Sequence, residues 1–142
     1  MGLLGPVLQR PEARADPGLF GAALVTAAAV ARVIDIAAAQ HLGEQAVQVA
    51  RDLGDDRLLT RALAELCSAY YHAGEPEIAL PVAQESVERA RQLGDDVLLA
   101  RSLLRYLLTI SPAQPRQLVA EAIACTERSG KANLAPIAAG TA

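Results

Sequence analysis

The chain has no tryptophan, one phenylalanine and three tyrosines in 142 residues. A core built on large rings is excluded, and close packing of helices through small side chains is what remains. It also lacks a basic excess: the net charge is −3 and the isoelectric point is near 5.3. That gives no electrostatic footing for nucleic acid or for a polybasic membrane contact. Only two cysteines occur, Cys67 and Cys125, and neither sits in a CxxC or a Cys/His cluster. A disulfide scaffold and a zinc ribbon are excluded, and both thiols read as small, reduced core residues. No phosphate loop of the GxxxxGK[ST] type is present. The apolar run 19–31 is interrupted only by Thr26 and is closed by Arg32 and Asp35, so it reads as too short to span a bilayer. The first eight residues carry no charged region of a signal peptide. The chain therefore reads as soluble and cytoplasmic.

What the chain does have is a stretch written twice. Residues 50–63 return at 90–103, an offset of 40, with ten of fourteen positions identical. A repeat of this length points to stacked supersecondary units. Each copy holds Leu-Gly-Asp-Asp followed by Leu-Leu after one residue. Gly54 and Gly94 suit the left-handed position just past a helix end. The aspartates that follow suit the free N–H groups of the next helix. Asp55-Asp56 and Asp95-Asp96 also have the composition of a metal or acid/base pair, but the identical Gly-then-helix context favours caps.

Six helices follow from this punctuation. Asp16-Pro17 starts the first, over 17–31. The second covers 35–53, with a break expected at Arg32-Val33-Ile34 and Gly43 either a weak spot or a close contact. The third covers 57–72 with Leu59, Leu63, Leu66, Cys67 and Tyr70 inward. Glu75-Pro76 opens the fourth, which runs to Leu93, and Pro81 should kink it or delay its regular start. Glu85 with Arg89 and Glu88 with Arg91 are spaced as pairs on a solvated face. The fifth covers 97–110. Ser111-Pro112 opens the sixth, which turns Val119, Ala122, Ile123 and Thr126 inward and ends at Gly130. Residues 1–16 read as a linker and 131–142 as a truncated or disordered tail, since Pro136 and Gly140 interrupt a further unit. The fold class is all-α, a solenoid of about three helical hairpins.

The two joints, together with the stretches 10–17 and 121–130, resemble the tetratricopeptide-like repeat region of large actinobacterial regulators. Those proteins pair a STAND-type ATPase with a LuxR-type DNA-binding domain. The resemblance covers roughly residues 10–130. Leu63, Cys67, Tyr70 and Ala79 meet the large, small, aromatic, alanine pattern of such repeats. Ala83 stands where an aromatic is frequent, and the period of 40 exceeds the usual tetratricopeptide length of roughly 34. The resemblance implies a right-handed superhelix that binds a protein or peptide, or adjoining domains of a longer chain. Neither the ATPase nor the DNA-binding domain is present, so no catalytic, cofactor or metal residue is carried over.

On a first helix lining the inner surface, Arg61 and Arg101 are repeat equivalents, and Glu65 and Arg105 lie one turn on. These are either solvated charges or a groove that holds carboxylates of an acidic partner, with Tyr71 as an apolar contact. The functional expectation is a non-catalytic interaction or sensor scaffold within a transcriptional regulator. Alternatives are a small homodimer that covers its C-terminal edge and, less so, an enzyme of unrecognised class. His41 and His72 have no second ligand at metal spacing.

Overall fold

The computed structural model describes residues 16–110 and 115–141, with side chains up to Gly130. Among the described residues the chain is all-α, with no strand. The helices are α1 (Pro17–Ile34), α2 (Ile36–Leu53), α3 (Asp56–His72), α4 (Pro76–Leu93), α5 (Asp96–Thr109) and α6 (Arg116–Thr141). Consecutive helices pack antiparallel-fashion as neighbours in sequence. In addition α1 packs on α3 and α3 on α5, whereas the backbones of α2, α4 and α6 stay apart and these helices meet only through long side chains. Alternate helices thus form one tight row and one open row.

The repeated stretch is a joint built by local chemistry. Gly54 and Gly94 take φ of 65° and 67°, where a side chain would be strained. The Gly54 and Gly94 N–H groups donate back to Ala50 and Arg51 and to Ala90 and Arg91. Asp55 then accepts from the Leu58 N–H at 3.0 Å, and Asp95 from Val97 and Leu98 at 3.0 and 3.1 Å. The first aspartate of each pair is the cap. The second opens the next helix and bonds across to an arginine, Asp56 to Arg89 and Asp96 to Arg128. Among the described residues no group of three or more His, Cys, Asp or Glu is placed to hold a metal.

Several boundaries move. α1 continues through Arg32, Val33 and Ile34, and the break is Asp35 alone. Asp35 is extended, donates its N–H to the Ala31 carbonyl, and accepts from the Ala38 N–H, so one residue ends α1 and caps α2. Extended to 18 residues, α1 is long and apolar enough to cross a membrane by length and composition, which removes the length argument made from 19–31. Here it packs Leu24, Val25, Ala27 and Ala28 into the core. α4 is helical from Pro76, so Pro81 does not delay its start. The helix bond that Pro81 cannot make is the one to the carbonyl of Glu77, an exposed residue, so it is not lost inside the core. The Ser111-Pro112 cap lies outside the described residues. Gly130 does not end α6: it lies within the helix and has no positive φ, unlike Gly54 and Gly94.

Two clusters make most of the core. One joins Leu24 and Ala28 of α1, Leu42 and Ala46 of α2, and Leu59 and Leu63 of α3. The other joins Val87 and Ala90 of α4, Leu99 and Leu103 of α5, and Ala122 and Cys125 of α6. Cys67 and Cys125 are both free and buried. Burial pushes the Cys67 thiol above its usual value. Gly43 is the close contact. A Cβ there would lie 3.1 Å from Leu66 Cδ1 and 3.4 Å from Leu66 Cα. Gly43→Ala is therefore expected to destabilise by about 1 kcal/mol, although alanine is the better helix former by a similar amount. Urea unfolding followed by circular dichroism checks the sign; a stabilised variant would show that α3 moves aside freely.

Two inward expectations fail. Ile123 is 53% exposed and Thr126 is exposed, while Cys125 is buried beside Ala122. On α4 the apolar Val87 and Ala90 are buried against α5. No helix among the described residues lies over α6 in the same way.

Candidate functional site

The tight row brings three charged side chains into line, one from each helix. Arg32 of α1 donates from Nη1 to Glu65 Oε2 of α3 at 3.4 Å. Arg105 of α5 reaches Glu65 Oε1 at 4.0 Å. Glu65 is only 11% exposed, against 23% for Arg32 and 26% for Arg105. One carboxylate thus serves two guanidiniums. Arg101, one turn before Arg105, is close enough for its charge to act on that guanidinium. Three positive charges therefore meet one negative charge on this face.

Arg105 is the least satisfied member. Its Nε is buried and has no hydrogen-bond partner among the described residues. A guanidinium remains charged in proteins and carries five donors in a fixed fork, so a buried Nε without an acceptor is an unmet requirement. Burial pulls the Arg105 group below its usual range; Glu65 opposes that, and the positive charges of Arg32 and Arg101 add to it.

Of the residues singled out in sequence, Glu65, Arg101 and Arg105 come together. Arg61 is half-buried one turn before Glu65 on the same side of α3, and it makes no ion pair among the described residues. Tyr71 is exposed and meets the His72 ring edge-on at 5.5 Å. Six residues along a helix turn it about 120° away from Glu65, so it stands apart from the arginines. Its neighbour Tyr70 turns the other way and donates its hydroxyl to Glu44 Oε1 at 2.8 Å. Burial, then the Glu44 carboxylate, push the Tyr70 hydroxyl up to about 12.

Arg32 is the residue sequence reasoning missed. Its signal is that it is the one charged side chain in an otherwise apolar α1. A charge in such a helix needs a partner, and the partner lies 33 residues away.

The open row carries a different pattern. Arg51 of α2 donates from Nη2 to both oxygens of Glu85 of α4 at 3.0 Å. Forty residues on, Arg91 of α4 forks onto Glu121 of α6 at 2.9 and 2.8 Å. The Glu85–Arg89 pair forms at 3.0 Å. Arg91 takes Glu121 rather than Glu88, because the bidentate fit to a carboxylate on the next helix outweighs a neighbour one turn away. These pairs are exposed and each is worth at most about 1 kcal/mol. Their recurrence shows that successive units are joined along this row by the same kind of pair, with α6 set at a different register from α4.

The chain matches no protein family, no characterised protein and no solved structure.

Proposed function

We infer that the chain is a non-catalytic interaction module, a tetratricopeptide-like solenoid whose tight row of α1, α3 and α5 receives a carboxylate-bearing segment of a protein partner. The observation that carries this is the meeting of Arg105, Arg101 and Arg32 on one face with a single carboxylate, Glu65, between them among the described residues. In this reading Glu65 holds the guanidiniums apart and in place, and a partner carboxylate pairs with Arg101 and with the accessible end of the Arg105 guanidinium. Arg61 extends the same charge along α3. The resemblance to repeat regions of large regulators supports a cytoplasmic role as the sensing or docking part of a transcriptional regulator. The acidic net charge supports a protein partner over nucleic acid.

The test is fluorescence polarisation with labelled Asp/Glu-rich peptides and with neutral peptides of equal length. Arg105→Ala and Arg101→Ala are expected to weaken acidic-peptide binding about tenfold each, about 1.4 kcal/mol. Glu65→Gln, which keeps shape and removes the competing charge, is expected to tighten it. Circular dichroism of each variant should match the parent. Equal binding of neutral and acidic peptides, or indifference to all three substitutions, would sink the reading.

A further inference from the structure

We propose that the groove between α5 and α6 is the seat for α1 of a second copy, so that the protein joins head to tail. The argument is one of repeat register and does not depend on the carboxylate site. In the second unit, Ala64 and Ser68 of α3 and Val87 and Ala90 of α4 are all buried. α3 and α4 both pack against α5, and Val87 and Ala90 share its core cluster. Forty residues on from Ala64 and Ser68 stand Leu104 and Leu108 of α5, and across from them on α6 stand Ile123 and Thr126. They are exposed, at 51%, 46% and 53% for the three apolar ones. Together with Val119 and Ala122 they line an open apolar groove of about 380 Å³. Its α5 wall, Leu104 and Leu108, is the repeat equivalent of the α3 face, Ala64 and Ser68, that is buried one unit earlier.

The opposite end of the molecule carries the matching ridge. α3 presses Leu59, Leu66 and Tyr70 onto the first unit. Leu59 joins the cluster with Leu24, Leu66 abuts Gly43, and Tyr70 bonds Glu44. α5 presses Leu99 and Tyr106, the equivalents of Leu59 and Leu66, onto the second. Forty residues before the α3 set stand Leu19, Thr26 and Val30 of α1. Leu19 is 59% exposed, Val30 46%, and Val33 on the same face 84%. These positions fall within about 40° of one line on the helix, and none is charged. α1 therefore shows to solvent the face that α3 and α5 bury, and the α5–α6 groove shows the surface that receives such a face. Copies joined this way repeat the contact the chain already makes twice within itself. The contact is heterologous, so association continues beyond a dimer.

Sedimentation velocity over a range of protein concentration tests this. The parent chain is expected to form species larger than a dimer as concentration rises. Ile123→Glu removes the seat and Val30→Glu removes the ridge. Both residues are exposed, so each variant should keep the parent's helicity and melt while sedimenting as a monomer. Mixing the two variants should restore a single one-to-one dimer, because one supplies an intact groove and the other an intact α1. A parent monomeric at every concentration overturns the proposal. So does a Val30→Glu variant that still dimerises, since that marks a symmetric contact between two grooves. Flotation of the parent with phosphatidylcholine vesicles, lost in Val30→Glu while no self-association is seen, would give the α1 face to a bilayer instead.

Discussion

Leu63→Ala is expected to cost about 3–5 kcal/mol, a large part of the roughly 5–15 kcal/mol that holds a domain of this size folded. Leu63 is 2% exposed and sits on α3, the helix that packs against α1, α2, α4 and α5. Its cluster is otherwise rich in alanine, including Ala27, Ala28, Ala46, Ala50 and Ala62. Alanines cannot extend into a void, so the cavity stays open and the upper part of the range applies. Leu103→Ala is the same chemistry at the equivalent position, and Leu103 is 0% exposed. Yet α5 has only α3, α4 and α6 beside it. In a structure where units contact only their neighbours, a defect in the last unit releases that unit first. Urea unfolding followed by circular dichroism should therefore move the whole transition to lower urea for Leu63→Ala. For Leu103→Ala it should broaden the transition and lower its slope. Equal midpoint shifts at unchanged slope would show that the three hairpins unfold as one.

What could be read in the sequence was whatever is decided within a few residues. The Gly-Asp joints were legible because a left-handed glycine and a capping aspartate satisfy their own neighbours, and Asp55 and Asp95 bond the turn that immediately follows. The inward stripe of α3 was legible because Leu59, Leu63, Leu66 and Cys67 are all buried on a helix packed from several sides. The end of α1 was not. The joint expected there was copied from His72-Ala73-Gly74, and the first unit has no glycine at that place. A single extended aspartate does the work of three residues.

The site was half legible for a different reason. Repeat equivalence pointed to Arg61 and Arg101, but equivalence finds residues that recur, and the Arg32–Glu65–Arg105 line does not recur. Arg32 corresponds to His72 one unit later, and Glu65 corresponds to Arg105 itself, so like positions carry opposite charges and attract across the row. Only the packing of α1 on α3 and α3 on α5 shows that 32, 65 and 105 meet. The same limit explains Ile123 and Thr126. Their inward assignment assumed a covering helix, which periodicity along one helix cannot supply.

Ser86→Ala is expected to cost about 2 kcal/mol, and the Ser86→Ala, Ser102→Ala pair less than the sum of its singles by about 1–2 kcal/mol. Ser86 of α4 is 0% exposed and Ser102 of α5 is 1%. The Ser86 hydroxyl donates to the Thr60 carbonyl at 3.1 Å, which leaves Ser102 to donate to Ser86 Oγ at 2.7 Å. Three helices, α3, α4 and α5, are thereby tied through two hydroxyls at the boundary of two units. Removing Ser86 alone strands the Ser102 hydroxyl in a dry site, and that stranded donor is the larger part of the cost. Removing both leaves two methyl groups in contact. The chain already contains that apolar version one unit earlier, where Ala46 and Ala62, both 0% exposed, hold the equivalent positions in the packed first cluster. The hydroxyls are therefore not needed to bring second helix to first helix; they couple that contact to the Thr60 carbonyl of the preceding helix. A double-mutant cycle from urea midpoints measures the coupling, and singles that add to the double would show that the two hydroxyls act independently.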